Sequence, residues 1–145
     1  MIDLFVYGTL MFPQVVTELT GLTPTYVPAV AYNTTRLGMR NQVYPGLVNR
    51  SGSFTQGYLL RNLDDASWCI IEAFEGDEYE RGPVTIETAG NSVRTHTFFV
   101  RTDCQDRLLD LPWDPEAFLR YELDTYLTDC RSLQRSYHHH RIDKQ

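Results

Sequence analysis

Stretches of mostly apolar residues, separated by turn residues, divide this 145-residue chain into candidate strands. Residues 2–7 are largely apolar and run straight into Gly8, as expected of a short buried β-strand. Residues 84–87 and 93–100 flank a turn at Ala89-Gly90-Asn91, which predicts two strands joined at hairpin distance. The predicted strands are residues 2–7, 29–37, 54–60, 84–87 and 93–100.

Proline and glycine interrupt the middle of the chain. Residues 43–48 contain Pro45-Gly46, and because proline cannot donate to a β-ladder, we predict a short extended piece at a sheet edge there. The polar residues 49–53 predict a turn that separates this piece from the strand beginning at residue 54.

Helical spacing of apolar residues predicts three helices. The first begins at Pro13, where the missing N–H costs nothing, and stops near Gly21. The second is capped by Asn62 or Asp64 and ends at Gly76. Its apolar face consists of Leu63, Ala66, Ile70 and Phe74.

The third predicted helix begins at Asp114-Pro115-Glu116, where an acid that can cap the helix precedes a proline at the first helical position. Its predicted buried stripe consists of Leu119, Leu123, Tyr126 and Leu127. We expect a single domain over residues 1–130, followed by a polar C-terminal tail over residues 131–145. The run His138-His139-His140 lies in that tail and is expected to be solvated rather than to bind a metal.

Strands outnumber helices in this pattern, and several neighbouring strands are joined by hairpin-length turns. The order favours an α+β domain, with a mixed or partly closed sheet and helices packed outside it. A doubly wound sheet would require a regular alternation of strand and helix, which the pattern lacks.

Composition excludes several classes of function. The formal charge of −6 and the isoelectric point near 5.1 argue against nucleic acid or an anionic membrane surface as a partner. No stretch approaches the ~20 apolar residues that a membrane helix needs. Cys69, Cys104 and Cys130 lack C-x-x-C spacing, which disfavours a disulfide framework or a zinc site and indicates a reducing, cytoplasmic location. Cys69, inside the second helix, is expected to be structural.

Glu75 is the first candidate for chemistry, because it follows Phe74 at the end of an apolar helix face and precedes Gly76. A carboxyl group at such a core boundary can be desolvated, which raises its pKa and makes it a useful base. We expect the neighbouring acids Asp77, Glu78 and Glu80 to add to this effect. A solvated surface glutamate is the alternative interpretation.

The turn Tyr7-Gly8-Thr9-Leu10 is the second candidate. Gly8 is expected to adopt a backbone angle that other residues resist, which would point successive N–H groups toward one anionic group. Tyr79 either lines a pocket or packs against the sheet, and Arg81 is expected to pair with Glu78 or Glu80 on the surface. No cofactor or metal motif is present, so cofactor-independent chemistry is expected.

Four blocks of sequence together resemble the gamma-glutamylcyclotransferase-like family, and most closely its avirulence-induced-gene branch, which includes gamma-glutamylamine cyclotransferase. The blocks are Val6-Tyr7-Gly8-Thr9-Leu10, Val43-Tyr44-Pro45-Gly46, Gly57-Tyr58-Leu59 and Phe74-Glu75-Gly76-Asp77-Glu78-Tyr79-Glu80-Arg81. The resemblance implies a compact mixed β-barrel with peripheral helices. It also implies cyclisation of a small γ-glutamyl compound to 5-oxoproline, with release of an amine or amino acid.

The resemblance also assigns roles to residues. Glu75 matches the catalytic glutamate of the family, and Tyr7, Gly8, Thr9 and Leu10 match the loop that holds the glutamyl group. Two departures concern the leaving group: Met11-Phe12-Pro13 replaces polar or basic residues of many relatives, and Phe98 and Phe99 stand where relatives often carry a tyrosine. Two alternatives remain: a non-catalytic binding protein that kept the pocket, and a hydrolase that pairs Glu75 with Glu78 or Asp77.

Overall fold

The computed structural model describes the backbone of residues 2–143 and the side chains of residues 2–137. The strands are β1 (Ile2–Val6), β2 (Thr25–Met39), β3 (Pro45–Leu63), β4 (Tyr79–Thr88), β5 (Asn91–Val100) and β6 (Leu108–Pro112). The helices are α1 (Pro13–Thr20), α2 (Asp65–Glu75), α3 (Pro115–Tyr121) and α4 (Leu123–Asp143). Short 3-10 turns cover Thr9–Met11, Gly76–Glu78 and Thr102–Arg107.

The strands form one mixed sheet in the order β3-β1-β5-β4-β2-β6, in which β1 runs parallel to β5 and the other pairs are antiparallel. Because β3 also pairs with β2, five of the strands close into a ring and β6 extends from β2. The predicted α+β class is confirmed.

Two clusters of buried residues fill this architecture. The smaller cluster comes from strand residues together with Tyr7, and it includes Phe5, Ala31 and Ile86, so it occupies the inner face of the ring. The larger cluster combines the opposite faces of the strands with residues of the helices. Side chains alternate across a strand, and β1 therefore sends Phe5 to the inner cluster and Leu4 and Val6 to the outer one. Both clusters meet at the end of β1.

The prediction of separate segments around Pro45 is wrong. β3 is one strand from Pro45 to Leu63, and β2 pairs with it on both sides of the predicted turn. Tyr32 lies opposite Phe54 while Thr34 lies opposite Asn49, so residues 50–53 bulge from the ladder opposite a single residue, Asn33. The Gly52 N–H donates to Asn33 Oδ1 at 3.1 Å and closes this bulge.

The predicted limits of α1 and α2 agree with the structure. Gly21 follows α1 in the left-handed conformation, with a φ of 75°. Asp64 caps α2 by accepting a hydrogen bond from the Ser67 N–H at 2.7 Å. Cys69, however, is exposed, because it lies off the apolar face that includes Ile70.

The third predicted helix begins as expected, since Asp114 accepts a hydrogen bond from the Glu116 N–H at 3.0 Å. A break at Glu122 divides it into α3 and α4, and this changes which residues are buried: Phe118 is 2% exposed, whereas Leu119, predicted to be buried, is 51% exposed. Residues 131–143 continue α4, so the predicted boundary at residue 130 lies within a helix. The side chains of residues 138–140 lie outside the described residues.

β6 has no counterpart among the predicted strands. It joins the sheet through two residue pairs with β2, and its residues are mostly exposed. In the part of the chain described here, no helix is both long enough and apolar enough to cross a bilayer.

Candidate active site

The end of β1 and the end of α2 meet at one cavity of about 110 Å³. A single buried water needs only ~10–15 Å³ on such a measure, so this cavity has room for part of a small molecule. Its lining consists of Leu4, Phe5, Val6, Tyr7, Gly8, Thr9, Leu10, Tyr44, Pro45, Phe74, Glu75, Tyr79, Phe98 and Tyr126. All six residues proposed from the sequence, Glu75, Tyr7, Gly8, Thr9, Leu10 and Tyr79, are therefore brought together.

Glu75 is the last residue of α2, where Gly76 ends the helix with a φ of 74°. Phe74 packs beside it on the outer cluster, which holds the Glu75 carboxyl group at the cavity. Burial raises the pKa of Glu75 from its ordinary 4.5 to about 8. A carboxyl group with this pKa is mostly protonated at neutral pH, and becomes a strong carboxylate base once it ionises.

The expectation that neighbouring acids raise the pKa of Glu75 is wrong, because burial is the cause of the shift. Asp77 and Glu80 are exposed. The charge of Glu78 is matched by Arg107, whose Nη1 lies 3.1 Å from Glu78 Oε2.

The loop of residues 7–10, called here the glycine loop, turns directly into the 3-10 turn Thr9–Met11. The first hydrogen bond of that turn runs from the Met11 N–H to Gly8 O, at 3.0 Å. The N–H groups of Thr9 and Leu10 precede this bond and so have no acceptor within the turn. The loop can therefore offer backbone donors to a ligand oxygen.

Glycine is required at position 8 by close packing rather than by the expected backbone angle. The φ of Gly8 is −124°, outside the left-handed region. A Cβ at this position would lie 2.9 Å from Pro45 Cγ, closer than real contacts allow. The other side of the loop is anchored by Arg36, whose Nη1 donates to Tyr7 O at 2.8 Å.

Tyr7 and Tyr79 line the cavity, but their hydroxyl groups are already engaged. Tyr7 donates to Phe98 O and Tyr79 to Pro45 O, each at 2.6 Å. Burial raises the pKa of both phenols above the usual value, so both remain neutral donors. Their contribution to the cavity is shape and rigidity.

Tyr44 forms another part of the wall, and the sequence suggested its segment only as a possible rim. Its hydroxyl group donates to Glu78 Oε1 at 2.5 Å, and Glu78 is held in turn by Arg107. The predicted pairing of Arg81 with Glu78 or Glu80 is wrong. Arg81 lies 3.6 Å from Glu72 and its guanidinium group covers the Trp68 ring.

Tyr126 is the cavity residue that sequence reasoning missed as a functional candidate. The sequence predicts it only as a member of a buried helical stripe. Its hydroxyl oxygen lies 3.1 Å from Thr9 Oγ1, although the two residues are 117 positions apart in sequence. A helical stripe indicates burial, but gives no indication of which loop the buried side chain will contact.

Among the described residues, no second carboxylate shares the cavity with Glu75. Of the described residues that line it, Glu75 alone carries a carboxyl group. Asp77 is exposed, and Glu78 binds Tyr44 and Arg107. Hydrolysis by two acids requires both carboxyl groups to flank one substrate bond, so the geometry argues against the paired-carboxylate alternative.

Comparison with known proteins agrees with this geometry. A family model described as gamma-glutamyl cyclotransferase, AIG2-like, matches residues 4–115. The chain is 28% identical to AIG2-like protein C of Arabidopsis thaliana over 132 residues, covering 90% of this chain and 77% of that protein. It is 26% identical to protein AIG2 C of the same plant over 133 residues, covering 90% and 80%.

Solved structures show the same fold. A solution structure of an Arabidopsis thaliana protein superposes with a TM-score of 0.69 at 23% identity, covering 91% of this chain and 81% of that chain. A gamma-glutamyl cyclotransferase superposes with a TM-score of 0.63 at 11% identity, covering 90% and 86%. Since the family model spans most of the chain and includes both halves of the cavity, the chain belongs to the AIG2-like gamma-glutamyl cyclotransferase family.

Proposed function

We propose that this protein is a cofactor-independent γ-glutamyl cyclotransferase in which Glu75 transfers the proton. The substrate is a γ-glutamyl amine or γ-glutamyl amino acid, and the products are 5-oxoproline and the released amine. The observation that carries the proposal is the Glu75 carboxyl group, whose pKa burial raises to about 8, in a cavity that it shares with the glycine loop.

The reaction requires a nucleophile that is protonated in solution. At neutral pH the α-amine of a γ-glutamyl compound is mostly an ammonium ion, and it must lose a proton before it can attack. The Glu75 carboxylate accepts this proton. The amine nitrogen then forms a bond to the γ-carbonyl carbon and closes a five-membered ring, while the carbonyl oxygen takes up negative charge.

Collapse of this tetrahedral intermediate breaks the bond between the γ-carbon and the leaving nitrogen. Glu75 returns its proton to that nitrogen, which restores the carboxylate. The ring nitrogen passes its second proton to the released amine, which leaves as an ammonium ion, so the reaction neither gains nor loses a proton overall. A pKa of about 8 suits both steps, because a general acid–base group works best when its pKa lies near the operating pH.

The glycine loop is the proposed site for the negative charge. The N–H groups of Thr9 and Leu10 lack acceptors within the 3-10 turn, and fixed donors of this kind stabilise a developing oxyanion. The α-carboxylate of the substrate is the alternative occupant of the same donors.

The walls of the cavity contribute to catalysis by orienting the substrate. Tyr7 and Tyr79 are buried and fixed by backbone hydrogen bonds, so the wall that they form is rigid. Holding both ends of one molecule in reactive contact is worth up to ~7–11 kcal/mol in oriented intramolecular reactions. Because the nucleophile belongs to the substrate, no serine or cysteine nucleophile is needed.

A substrate screen tests the proposal. Purified protein is incubated with γ-glutamyl amines, γ-glutamyl amino acids and glutathione, and 5-oxoproline is measured by mass spectrometry. Release of 5-oxoproline from at least one class supports the enzyme. If these compounds raise the melting temperature but yield no product, the protein is a binding module and the proposed reaction is wrong.

A further inference from the structure

The C-terminal helix α4 contributes a side chain to the cavity although it lies beyond residues 4–115, which match the family model. That side chain is Tyr126. Its ring packs edge-on between two aromatic rings, with centroid distances of 5.9 Å to Phe74 and 5.2 Å to Phe118. Phe74 precedes Glu75, so one tyrosine contacts the end of α2 with its ring and the glycine loop with its hydroxyl group.

The hydroxyl groups of Tyr126 and Thr9 together carry two protons, and the 3.1 Å contact between them uses one. Either oxygen can be the donor in this contact. The second proton is free to be donated to an acceptor in the cavity, which both residues line. Burial raises the pKa of Tyr126 above its usual value, and the nearby charge of Glu75 acts in the same direction, so the phenol remains protonated.

We propose that Tyr126 is a positioning residue for the cyclisation: its hydroxyl group fixes Thr9 and the glycine loop, and the hydroxyl pair donates its remaining proton to a carbonyl or carboxylate oxygen of the substrate. The expected effect of Tyr126 on catalysis rests on the proposed function. The geometry of the contact itself does not depend on the reaction.

The attachment of α4 to the rest of the molecule makes this role testable without loss of the fold. Leu123 and Cys130 are buried, at 6% and 1% exposure, and Arg131 Nε lies 2.9 Å from Glu18 Oε1 of α1. These contacts, with the ring of Tyr126, hold the helix in place when the hydroxyl group alone is removed. Tyr126→Phe therefore isolates the hydrogen bond.

The first test compares Tyr126→Phe, Thr9→Val and the double variant with wild type. We expect each single variant to lose about 10- to 100-fold in kcat/KM for 5-oxoproline release, mostly in kcat, the range for a hydrogen bond to a charged group. Each single variant removes the same hydrogen bond but leaves one hydroxyl group in the cavity. The double variant should therefore lose more than either single one, and less than the product of the two single losses. The control is Tyr121→Phe on α3, where the side chain is 71% exposed, and it should match wild type.

The second test is amide hydrogen exchange of the glycine loop and the 3-10 turn, and it does not depend on turnover. We expect faster exchange at Met11 and Phe12, whose N–H groups close the turn, in Tyr126→Phe but not in Tyr121→Phe. Unchanged exchange, or wild-type kcat/KM in Tyr126→Phe, would overturn the proposal. If wild type releases no 5-oxoproline while the loop loosens in Tyr126→Phe, the proposed reaction fails and the positioning of the loop stands.

Discussion

Replacement of Glu75 by glutamine should change how the stability of the protein depends on pH. In the folded chain, burial holds the pKa of Glu75 at about 8, whereas the unfolded chain exposes it and restores the ordinary value of 4.5. Between these two values the folded protein keeps a proton that the unfolded chain has lost. Stability must therefore fall as pH rises through this window, and level off above about pH 8.

The size of the effect follows from the shift in pKa. At about 1.4 kcal/mol for each pH unit, a rise from 4.5 to about 8 corresponds to a loss of about 5 kcal/mol. Glu75 is partly rather than fully buried as a residue, and its carboxyl group faces a cavity, so this figure is a ceiling. Domains of this size are stable by about 5–15 kcal/mol, and a loss of several kcal/mol is readily measured.

The assay is urea unfolding of wild type, Glu75→Gln and Asp77→Asn at intervals from pH 5 to pH 9. Asp77 is the matched control, because it is an exposed acid two positions away. Subtraction of the Glu75→Gln curve from the wild-type curve cancels the other titrating groups. A difference between pH 5 and pH 9 below about 1.4 kcal/mol, the free energy of a single pH unit, would refute the burial of this carboxyl group.

Three further outcomes are expected. The kcat/KM for 5-oxoproline release should rise with pH and level off above about 8, as the Glu75 carboxylate forms in the free enzyme, and a flat profile from pH 6 to 9 would contradict this role. Gly8→Ala should lower the free energy of unfolding by about 1–3 kcal/mol and reduce kcat, because the added methyl group would collide with Pro45. An unchanged urea midpoint would show that the glycine loop can accommodate the methyl group without loss of stability. Glu78→Ala should raise KM by about tenfold without unfolding the protein, because Tyr44 loses the hydrogen-bond acceptor that fixes its ring at the cavity. An unchanged KM would show that Tyr44 does not contribute to substrate binding.

Local patterns in the sequence were sufficient to find the ends of β1 and α2, and thus both halves of the site. Asp64 caps the start of α2, and Gly76 ends the helix with a positive φ that glycine adopts readily, and both effects depend on residues only a few positions away. The apolar face that ends at Phe74 placed Glu75 at the core boundary. These effects act over a few residues, and such short-range effects can be predicted from one sequence.

Contacts between residues that are far apart in the chain could not be predicted from the sequence. Tyr126 meets Thr9 only because α4 packs near the end of β1, and Arg107 reaches Glu78 only because the turn Thr102–Arg107 lies beside the turn Gly76–Glu78. β3 was divided at a polar segment because nothing in that segment indicates that β2 pairs with both of its sides.

Two errors about burial have a simple geometric origin. A helix turns about 100° per residue, so the buried positions Ser67, Trp68, Ile70 and Ile71 share one side of α2 and Cys69 lies on the opposite side, where it is exposed. The break at Glu122 interrupts the predicted stripe between α3 and α4, and Phe118 rather than Leu119 lies in the core. Apolar spacing predicts a continuous stripe only where the helix itself is continuous.

The most direct test of the proposed mechanism is the rate of 5-oxoproline release by Glu75→Gln at saturating substrate and pH 8, beside wild type and Asp77→Asn. General acid–base groups contribute about 10²- to 10⁴-fold to rate. We predict a loss of at least about 100-fold in kcat for Glu75→Gln, with the fold intact and Asp77→Asn close to wild type. Turnover by Glu75→Gln within a few-fold of wild type would mean that another group moves the proton.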